Sequence, residues 1–361
     1  MNAPVPKLST LDRYLPAWIS AAMVLGLGLG RVWPGIGPAL DRAKVDTVSL
    51  PIAIGLLWMM YPVLAKVNYG KLGHLTARRE LLGASLVFNW IVGPLLMFGL
   101  AWLFLPDLPH YRTGLILIGL ARCIAMVLVW NMLAGGSGEV AAVLVALNSV
   151  FQILCYSVLG WLLLTKVPAW FGAAGTEFHV SMGAIAKSVS IFLGVPLVAG
   201  ALTRLVLVRR RGEAWYEERF LPRLGPTALV GLLYTIVLMF SMQGERIVAH
   251  PWDVARIALP LVIYFVVMFS SAFFTGRKLG LSYEETAAVS FTAAGNNFEL
   301  AIAVAVGLFG IGSGEALAGV VGPLVEVPAL IALVYLSLWL RRRLYRGGAD
   351  SSSPSTSPAR P

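Results

Sequence analysis

Ten long apolar segments, separated by short polar or charged stretches, occupy most of the chain between residues 16 and 340. Each is close to the roughly 20 apolar residues that an α-helix needs to cross the hydrocarbon core of a bilayer. The pattern therefore predicts an all-α polytopic membrane protein with ten transmembrane helices. Their predicted limits are residues 16–33, 48–65, 80–104, 113–134, 140–165, 180–203, 226–243, 254–276, 283–309 and 314–340.

The composition agrees with a chain that lies mostly within a membrane. Hydrophobic residues make up 58% of the 361 residues and charged residues only 13%, against roughly 25% charged residues in soluble domains. The mean hydropathy is +0.79. The net charge of +10 is then better explained by membrane orientation than by nucleic-acid binding. We expect the lipid bilayer as a partner and no nucleic acid.

The positions of the positive charges predict how the chain is oriented. With ten helices, both termini lie on one side, and the connecting segments alternate between the two faces. Most Lys and Arg residues fall on the side of the termini, and cytoplasmic loops collect these residues. Both termini are therefore predicted to be cytoplasmic, in a multi-pass protein of the plasma (inner) membrane. The main clusters are Lys66, Lys71, Arg78 and Arg79; Arg209, Arg210 and Arg211; Arg219 and Arg223; Arg277 and Lys278; and Arg341, Arg342 and Arg343.

A short motif suggests an internal repeat, because residues Gly136–Glu139 recur as Gly312–Glu315 with similar apolar segments around both copies. This spacing superposes the fourth predicted helix on the ninth and the first on the sixth. It predicts two five-helix halves, residues 1–175 and 176–346, of which the second is inverted. Inverted repeats are typical of secondary transporters, which bind substrate near the membrane midplane. Residues 347–361, rich in Ser and Pro, are predicted to form a disordered cytoplasmic tail.

The same spacing superposes Cys123 on Glu299, and both lie in polar segments that interrupt apolar helices. Ionisable groups at membrane depth cost roughly 2.5–3.5 kcal/mol each on insertion scales, so we expect Arg122 and Glu299 to pair inside the bundle. Gly295, followed by two asparagines, suits an unwound backbone because Gly tolerates unusual angles and Asn can bond freed peptide groups. We therefore predict that helices 4 and 9 are discontinuous and cross at the centre.

Three groups of residues resemble one known family. They are Arg122-Cys123-Ile124-Ala125-Met126-Val127 followed by Trp130-Asn131; Asn296-Asn297-Phe298-Glu299-Leu300-Ala301; and Val87-Phe88-Asn89-Trp90 with Gly93-Pro94. With the helix order over residues 11–345, these motifs resemble the arsenite efflux permeases of the bile/arsenite/riboflavin transporter superfamily. The resemblance implies a secondary active transporter, not an enzyme, that exports arsenite in exchange for protons. It also implies antimonite as a second candidate substrate and no cofactor.

The resemblance also assigns the residues of the site. The family's essential thiol falls on Cys123 and its essential carboxylate on Glu299. Its other important polar positions fall on Asn89, Arg122, Trp130, Asn148, Asn297 and Glu326, and Asn296 belongs to the same polar segment. Arsenic(III) is thiophilic, and a single thiol offers a transient contact where three would bind too tightly for transport. Glu299 and Glu326 are the predicted proton-coupling residues, and no resident metal site is expected.

Structural interpretations stay open for several of these residues. Glu326 is either a second proton site or a partner of Lys187. Asn89 and Asn148 either donate to substrate hydroxyls or bond the unwound backbone, and Trp130 either lines the cavity or packs against lipid.

Other functions also stay open at this point. The main alternative is a sodium-coupled symporter for an organic anion, of the bile-acid type, on the same fold. A channel is another, whereas an intramembrane enzyme lacks its HExxH or DDxxD motif. The sequence leaves open the preference between arsenite and antimonite, the stoichiometry and the need for a metalloid-delivering partner. It also leaves open the oligomeric state, with a homo-oligomer as one option.

Overall fold

The computed structural model describes residues 14–45, 48–66, 78–124, 126–171, 182–249, 251–310 and 312–345, and these are almost entirely helical. The helices are α1 (Leu15–Val32), α2 (Ile36–Asp41), α3 (Leu50–Lys66), α4 (Arg79–Phe104), α5 (Pro109–Leu120), α6 (Met126–Leu133), α7 (Gly138–Trp170), α8 (Met182–Arg211), α9 (Leu221–Ala249), α10 (Pro251–Lys278), α11 (Tyr283–Ala294), α12 (Phe298–Phe309) and α13 (Gly314–Leu344). A small antiparallel pair, β1 (Lys44–Val45) and β2 (Val48–Ser49), precedes α3. The predicted tail at 347–361 lies outside the described residues.

Six of the described helical segments are long and apolar enough to cross a membrane. They are α4, α7, α8, α10, α13 and Glu213–Met242, which contains most of α9. Shorter apolar helices occur at Ala17–Val32, Leu50–Lys66 and Phe298–Phe309. The chain is therefore a multi-pass helical membrane protein, as its apolar pattern predicted.

The predicted breaks in helices 4 and 9 are confirmed. Helix α5 ends at Leu120 and α6 begins at Met126, whereas α11 ends at Ala294 and α12 begins at Phe298. In each case a polar segment of a few residues separates two short apolar helices. This arrangement exposes backbone groups at membrane depth, and such groups must find partners within the protein.

The two copies of the repeated motif play the same structural role. Ser137 caps the N-terminus of α7, where its hydroxyl accepts a hydrogen bond from the Val140 N–H at 3.3 Å. Ser313 caps α13 in the same way, with the Ala316 N–H at 3.1 Å. Serine is a preferred N-cap residue because it satisfies one of the unpaired N–H groups of the first turn.

One cluster of helices consists of α1, α3, α9 and the C-terminal part of α8. Glycine allows their backbones to approach closely, since a Cβ at Gly26 of α1 would lie 2.7 Å from the Val237 carbonyl oxygen of α9. A Cβ at Gly30, one turn further along α1, would collide with the backbone of Ser241. Gly28, by contrast, has open space around it, so close packing explains two of these three glycines.

The remaining helices surround the two breaks. Helix α13 packs against α5, α10 and α12, and α10 also packs against α4 and α11. Phenylalanine rings fill this second cluster: Phe269 lies 5.0 Å from Phe291 and 5.7 Å from Phe273, measured between ring centroids. The two broken helices are therefore enclosed by long, well-packed spans.

Within the described residues, four π-helical turns interrupt the helices, and the sequence did not predict them. Each ends two positions before a proline, and proline lacks an N–H and crowds the carbonyl four residues back. The turns are Phe88–Val92, Leu162–Lys166, Ser190–Gly194 and Tyr216–Phe220, before Pro94, Pro168, Pro196 and Pro222. Such turns often occur at functional sites, and the first of them contains Asn89.

Candidate functional site

The two unwound segments cross each other and pair through their backbones. Arg122 and Asn296 form an isolated antiparallel bridge. Its backbone hydrogen bonds run from the Cys123 N–H to the Gly295 carbonyl at 3.3 Å and from the Asn297 N–H to the Ala121 carbonyl at 3.0 Å. The crossing that the sequence predicted is therefore a short piece of sheet inside a helical bundle.

The C-terminus of α5 is buried at this crossing, so its free carbonyl groups need donors. The side-chain amide of Asn296 donates to the Ile118 carbonyl at 2.7 Å. The Tyr156 hydroxyl, from α7, donates to the Leu117 carbonyl at 2.9 Å. Side chains from α7 and from the second unwound segment thus replace the missing turn of α5.

Arg122 is fully buried, and its guanidinium completes this cap. One nitrogen, Nη2, donates to the Gly119 carbonyl, and Nη1 donates to the Tyr264 hydroxyl of α10 at 2.6 Å. The Nε atom has no hydrogen-bond partner within the described chain. The carbonyl end of α5 carries partial negative charge, which favours a cation at this position. The groups that surround the guanidinium are thus backbone carbonyl and phenol groups.

The expected ion pair between Arg122 and Glu299 is wrong. The described residues contain no salt bridge between the two side chains, and the hydrogen bonds of Arg122 go to α5 and α10. The reason is geometric: Arg122 turns back onto the end of α5, whereas Glu299 lies in the first turn of α12 and lines a cavity beside α9.

Cys123 lies in the unwound segment just before α6. Its sulphur accepts a hydrogen bond from the Val127 N–H at 3.3 Å, in the first turn of α6. Cys123 is buried against Gly295, where a Cβ would lie 2.9 Å from its own Cβ. Cys155 is a half-buried residue of α7.

Glu299 faces a small cavity of about 20 Å³ between α9, α12 and α13, which is room for about one water molecule. Asn297 orients this turn, because its side-chain oxygen caps α12 by accepting from the Leu300 N–H at 3.0 Å. Apart from Glu299 and Thr235 the walls are apolar: Leu232, Ile236, Met239, Phe240, Ile302, Val320 and Pro323. The carboxylate therefore lies where the two helix clusters meet.

Glu326 lies close enough to Glu299 for their charges to interact, and it also interacts with the backbone N–H of Asn296. It is buried in α13, and its Oε1 atom has no hydrogen-bond partner among the described residues. Lys187 is exposed on α8, and no ion pair between it and Glu326 is found among the described residues. The two predicted proton-coupling residues therefore interact electrostatically.

The other predicted residues surround the crossing on separate helices. Asn89 donates to the Ser85 carbonyl at 2.8 Å, and its side-chain oxygen has no partner in the described structure. Asn148 of α7 and Trp130 of α6 each bury an N–H group that also has no partner among the described residues. These buried polar atoms are the kind that a ligand would satisfy, and their roles stay predictions.

Two residues of the site were missed from the sequence. Gln152 of α7 accepts a hydrogen bond from the backbone N–H of Arg122 at 3.0 Å, and Tyr264 holds the guanidinium. Gln152 had a signal, since it is a polar residue one turn after Asn148 in an apolar helix. Tyr264 had none, because it stands between Ile263 and Phe265 in an apolar run with no polar neighbour. The described residues include no group of three His, Cys, Asp or Glu that could hold a metal ion.

Comparison with known proteins places this geometry in a family. Residues 53–250 match the model of the Sodium Bile acid symporter family. The chain is 53% identical to the arsenical-resistance protein Acr3 of Corynebacterium glutamicum over 355 residues, which cover 98% of this chain and 95% of that protein. The chain belongs to the Acr3 branch of the sodium bile acid symporter family. It is a transporter and not an enzyme.

Two further relatives span nearly the whole transporter. An uncharacterised transporter of Synechocystis sp. is 38% identical, over 91% of this chain and 88% of its own. The arsenical-resistance protein Acr3 of Alkaliphilus metalliredigens is 33% identical, over 90% of this chain and 92% of its own. The similarity therefore covers both broken helices and the spans around them.

Proposed function

We propose that this transporter exports arsenite, and antimonite as a second substrate, from the cytoplasm in exchange for protons. The observation that carries the proposal is the position of Cys123. It supplies a thiol at the crossing of two broken helices, in a chain similar over nearly its full length to an arsenical-resistance protein. Thiolates are soft ligands suited to arsenic(III), and a single one allows release as well as binding.

Buried hydrogen-bonding groups among the predicted site residues suit the oxygen atoms of an arsenic oxyacid. Arg122, Asn148 and Trp130 each bury an N–H group that the described residues leave unpaired, and Asn89 and Asn296 each bury an unpaired oxygen. A hydroxyl group both donates and accepts, so it can satisfy atoms of both kinds. We assign these residues, with Asn297 as the cap of α12, to substrate binding.

Glu299 and Glu326 are proposed to carry the proton. The two carboxylates interact with each other, and Glu299 borders a cavity with room for about one water molecule. Carboxylates buried at membrane depth are the usual carriers in proton relays. A proton bound there from outside would leave on the cytoplasmic side after substrate has been released.

The proposed architecture is ten spans in two inverted halves, residues 1–175 and 176–346. We place the protein in the plasma (inner) membrane, with both termini in the cytoplasm. The matching caps at Ser137 and Ser313, and the matching breaks in the fourth and ninth predicted helices, support this repeat. Alternating access by two such halves around a central site is the usual mechanism of secondary transporters.

Uptake into everted membrane vesicles tests the function. We expect arsenite accumulation that requires an imposed proton gradient and is lost in Cys123→Ser and in Glu299→Gln. Cys155→Ser, which alters the half-buried cysteine of α7, is the matched control and should transport like the parent. Accumulation driven by sodium, with an organic anion as substrate and no arsenite transport, would instead establish the bile-acid type of symport that the family name allows.

A further inference from the structure

One face of α7 contacts the crossing through a series of polar side chains. Asn148, Gln152 and Tyr156 are spaced four residues apart, so they lie on the same side of the helix, and all three are buried. Tyr156 bonds the end of α5 and Gln152 bonds the unwound segment after it. Helix α7 therefore supports the broken helix from one side along two turns.

The hydrogen bond to Gln152 fixes the orientation of its amide group. A backbone N–H can only donate, so the atom at 3.0 Å from the Arg122 nitrogen must be the side-chain oxygen. The NH2 group is then buried with no partner in the described part of the chain. An unpaired buried donor costs about 1–3 kcal/mol, so an apolar residue would suit the packing of α7 better than glutamine does.

The Arg122 N–H has no helical alternative to this partner. In a continued helix it would bond the Ile118 carbonyl, but that oxygen already accepts from the Ala121 N–H at 3.1 Å and from the Asn296 side chain at 2.7 Å. The segment between α5 and α6 therefore depends on a side chain of α7 for the position of its backbone. The next residue along that backbone is Cys123.

We propose that Gln152 is a positioning residue of the substrate site, which holds the backbone of Arg122 and thereby sets where the guanidinium of Arg122 and the sulphur of Cys123 lie. Its effect on transport rests on the proposed function, whereas its effect on the backbone does not. Gln152 acts through these two residues.

Four variants test the role of Gln152. Gln152→Met keeps the length of the side chain and removes the acceptor, and Gln152→Asn withdraws the same amide by one methylene. Gln152→Glu keeps an oxygen at the same position in either protonation state. Ser149→Ala is the matched control, because within the described structure its buried hydroxyl bonds only the Val145 carbonyl of α7 itself, at 2.8 Å.

The first readouts need no arsenite: hydrogen exchange of the amides after α5, and alkylation of Cys123 by N-ethylmaleimide in a Cys155→Ser background. We expect exchange at Arg122 to rise about tenfold in the Met and Asn variants, as loss of one buried hydrogen bond implies, and the alkylation rate to change severalfold. Gln152→Glu and Ser149→Ala should stay within about twofold of the parent on the same scale.

Kinetics in everted vesicles connect the backbone to transport. The arsenite KM should rise about tenfold in the Met and Asn variants and return toward the parental value in Gln152→Glu, while gel filtration shows equal amounts of folded protein. Unchanged exchange and alkylation in both the Met and Asn variants, or equal effects of Ser149→Ala, would overturn the proposal. A parent that ignores arsenite would refute the proposed function alone, because exchange and alkylation would still decide the role of Gln152.

Discussion

Replacing Tyr264 with phenylalanine tests how a buried guanidinium is held without a carboxylate. The substitution removes only the hydroxyl that accepts from Arg122 Nη1 at 2.6 Å. The ring, which is fully buried and packs at 6.0 Å from Phe265 between centroids, stays in place. The change therefore isolates one hydrogen bond to a charged donor.

The expected cost follows from the partners that remain. Hydrogen bonds to charged groups contribute about 1.5–3 kcal/mol, against about 0.5–1.5 kcal/mol for neutral ones. Because Arg122 Nε is already unpaired within the described residues, the guanidinium would keep one acceptor, the Gly119 carbonyl. We expect Tyr264→Phe to lower the free energy of unfolding by about 2–3 kcal/mol.

Two matched tyrosines supply the controls. Tyr156→Phe removes a neutral bond to the Leu117 carbonyl at the same crossing and should cost about 1 kcal/mol. Tyr335, on α13, is 70% exposed, and its replacement by phenylalanine should cost almost nothing. The ranking is measured by reversible unfolding in mixed detergent micelles, with arsenite uptake in parallel.

The result that refutes this reasoning is specific. If Tyr264→Phe costs no more than Tyr335→Phe, the phenol does not hold Arg122. If it equals Tyr156→Phe, the charge on Arg122 adds nothing to the bond. A loss of arsenite transport that exceeds the loss of folded protein would place the guanidinium in the working site.

Three further predictions concern other parts of the molecule. Gly295→Ala should separate the two unwound segments and abolish arsenite uptake, at a cost of about 1–3 kcal/mol in unfolding free energy, because the new Cβ would lie 2.9 Å from that of Cys123. Gly28→Ala, whose Cβ would have no described atom within 4 Å, should leave uptake unchanged. Ser137→Ala and Ser313→Ala should each cost about 1 kcal/mol in the same unfolding assay through loss of an N-cap. Costs for the two variants that differ by well over about 1 kcal/mol would argue against equivalent roles. The hydrogen bond from Arg256 lowers the pKa of Asp107 from its ordinary value of 3.8 to about 2. Since the folded-state pKa is the lower one, this stabilisation is complete above about pH 4 and is lost as the pH falls toward about 2. Arg256→Gln should therefore flatten the fall of the thermal midpoint over that range, and an unchanged pH profile would contradict the pairing.

The sequence predicted the helices closely because each needs only local information. A run of about 20 apolar residues determines a span whatever it packs against. The predicted segment at 80–104 became Arg79–Phe104, and that at 314–340 became Gly314–Leu344. The breaks beside Cys123 and Glu299 were also predictable from polar residues and Gly inside an apolar run. Such residues are unfavourable on a lipid-facing helix and indicate an unwound segment buried within the protein.

The partners of the ionisable groups were decided by tertiary structure. Charge alone suggested that Arg122 and Glu299 pair, but the direction in which each side chain leaves its unwound segment sends Arg122 to α5 and Tyr264, and Glu299 to the cavity beside α9. Gln152 is far from Arg122 in sequence and meets it only because α7 crosses behind the break. Local pattern specifies which segments form helices, whereas buried polar groups take partners from whichever element the packing brings within hydrogen-bond distance.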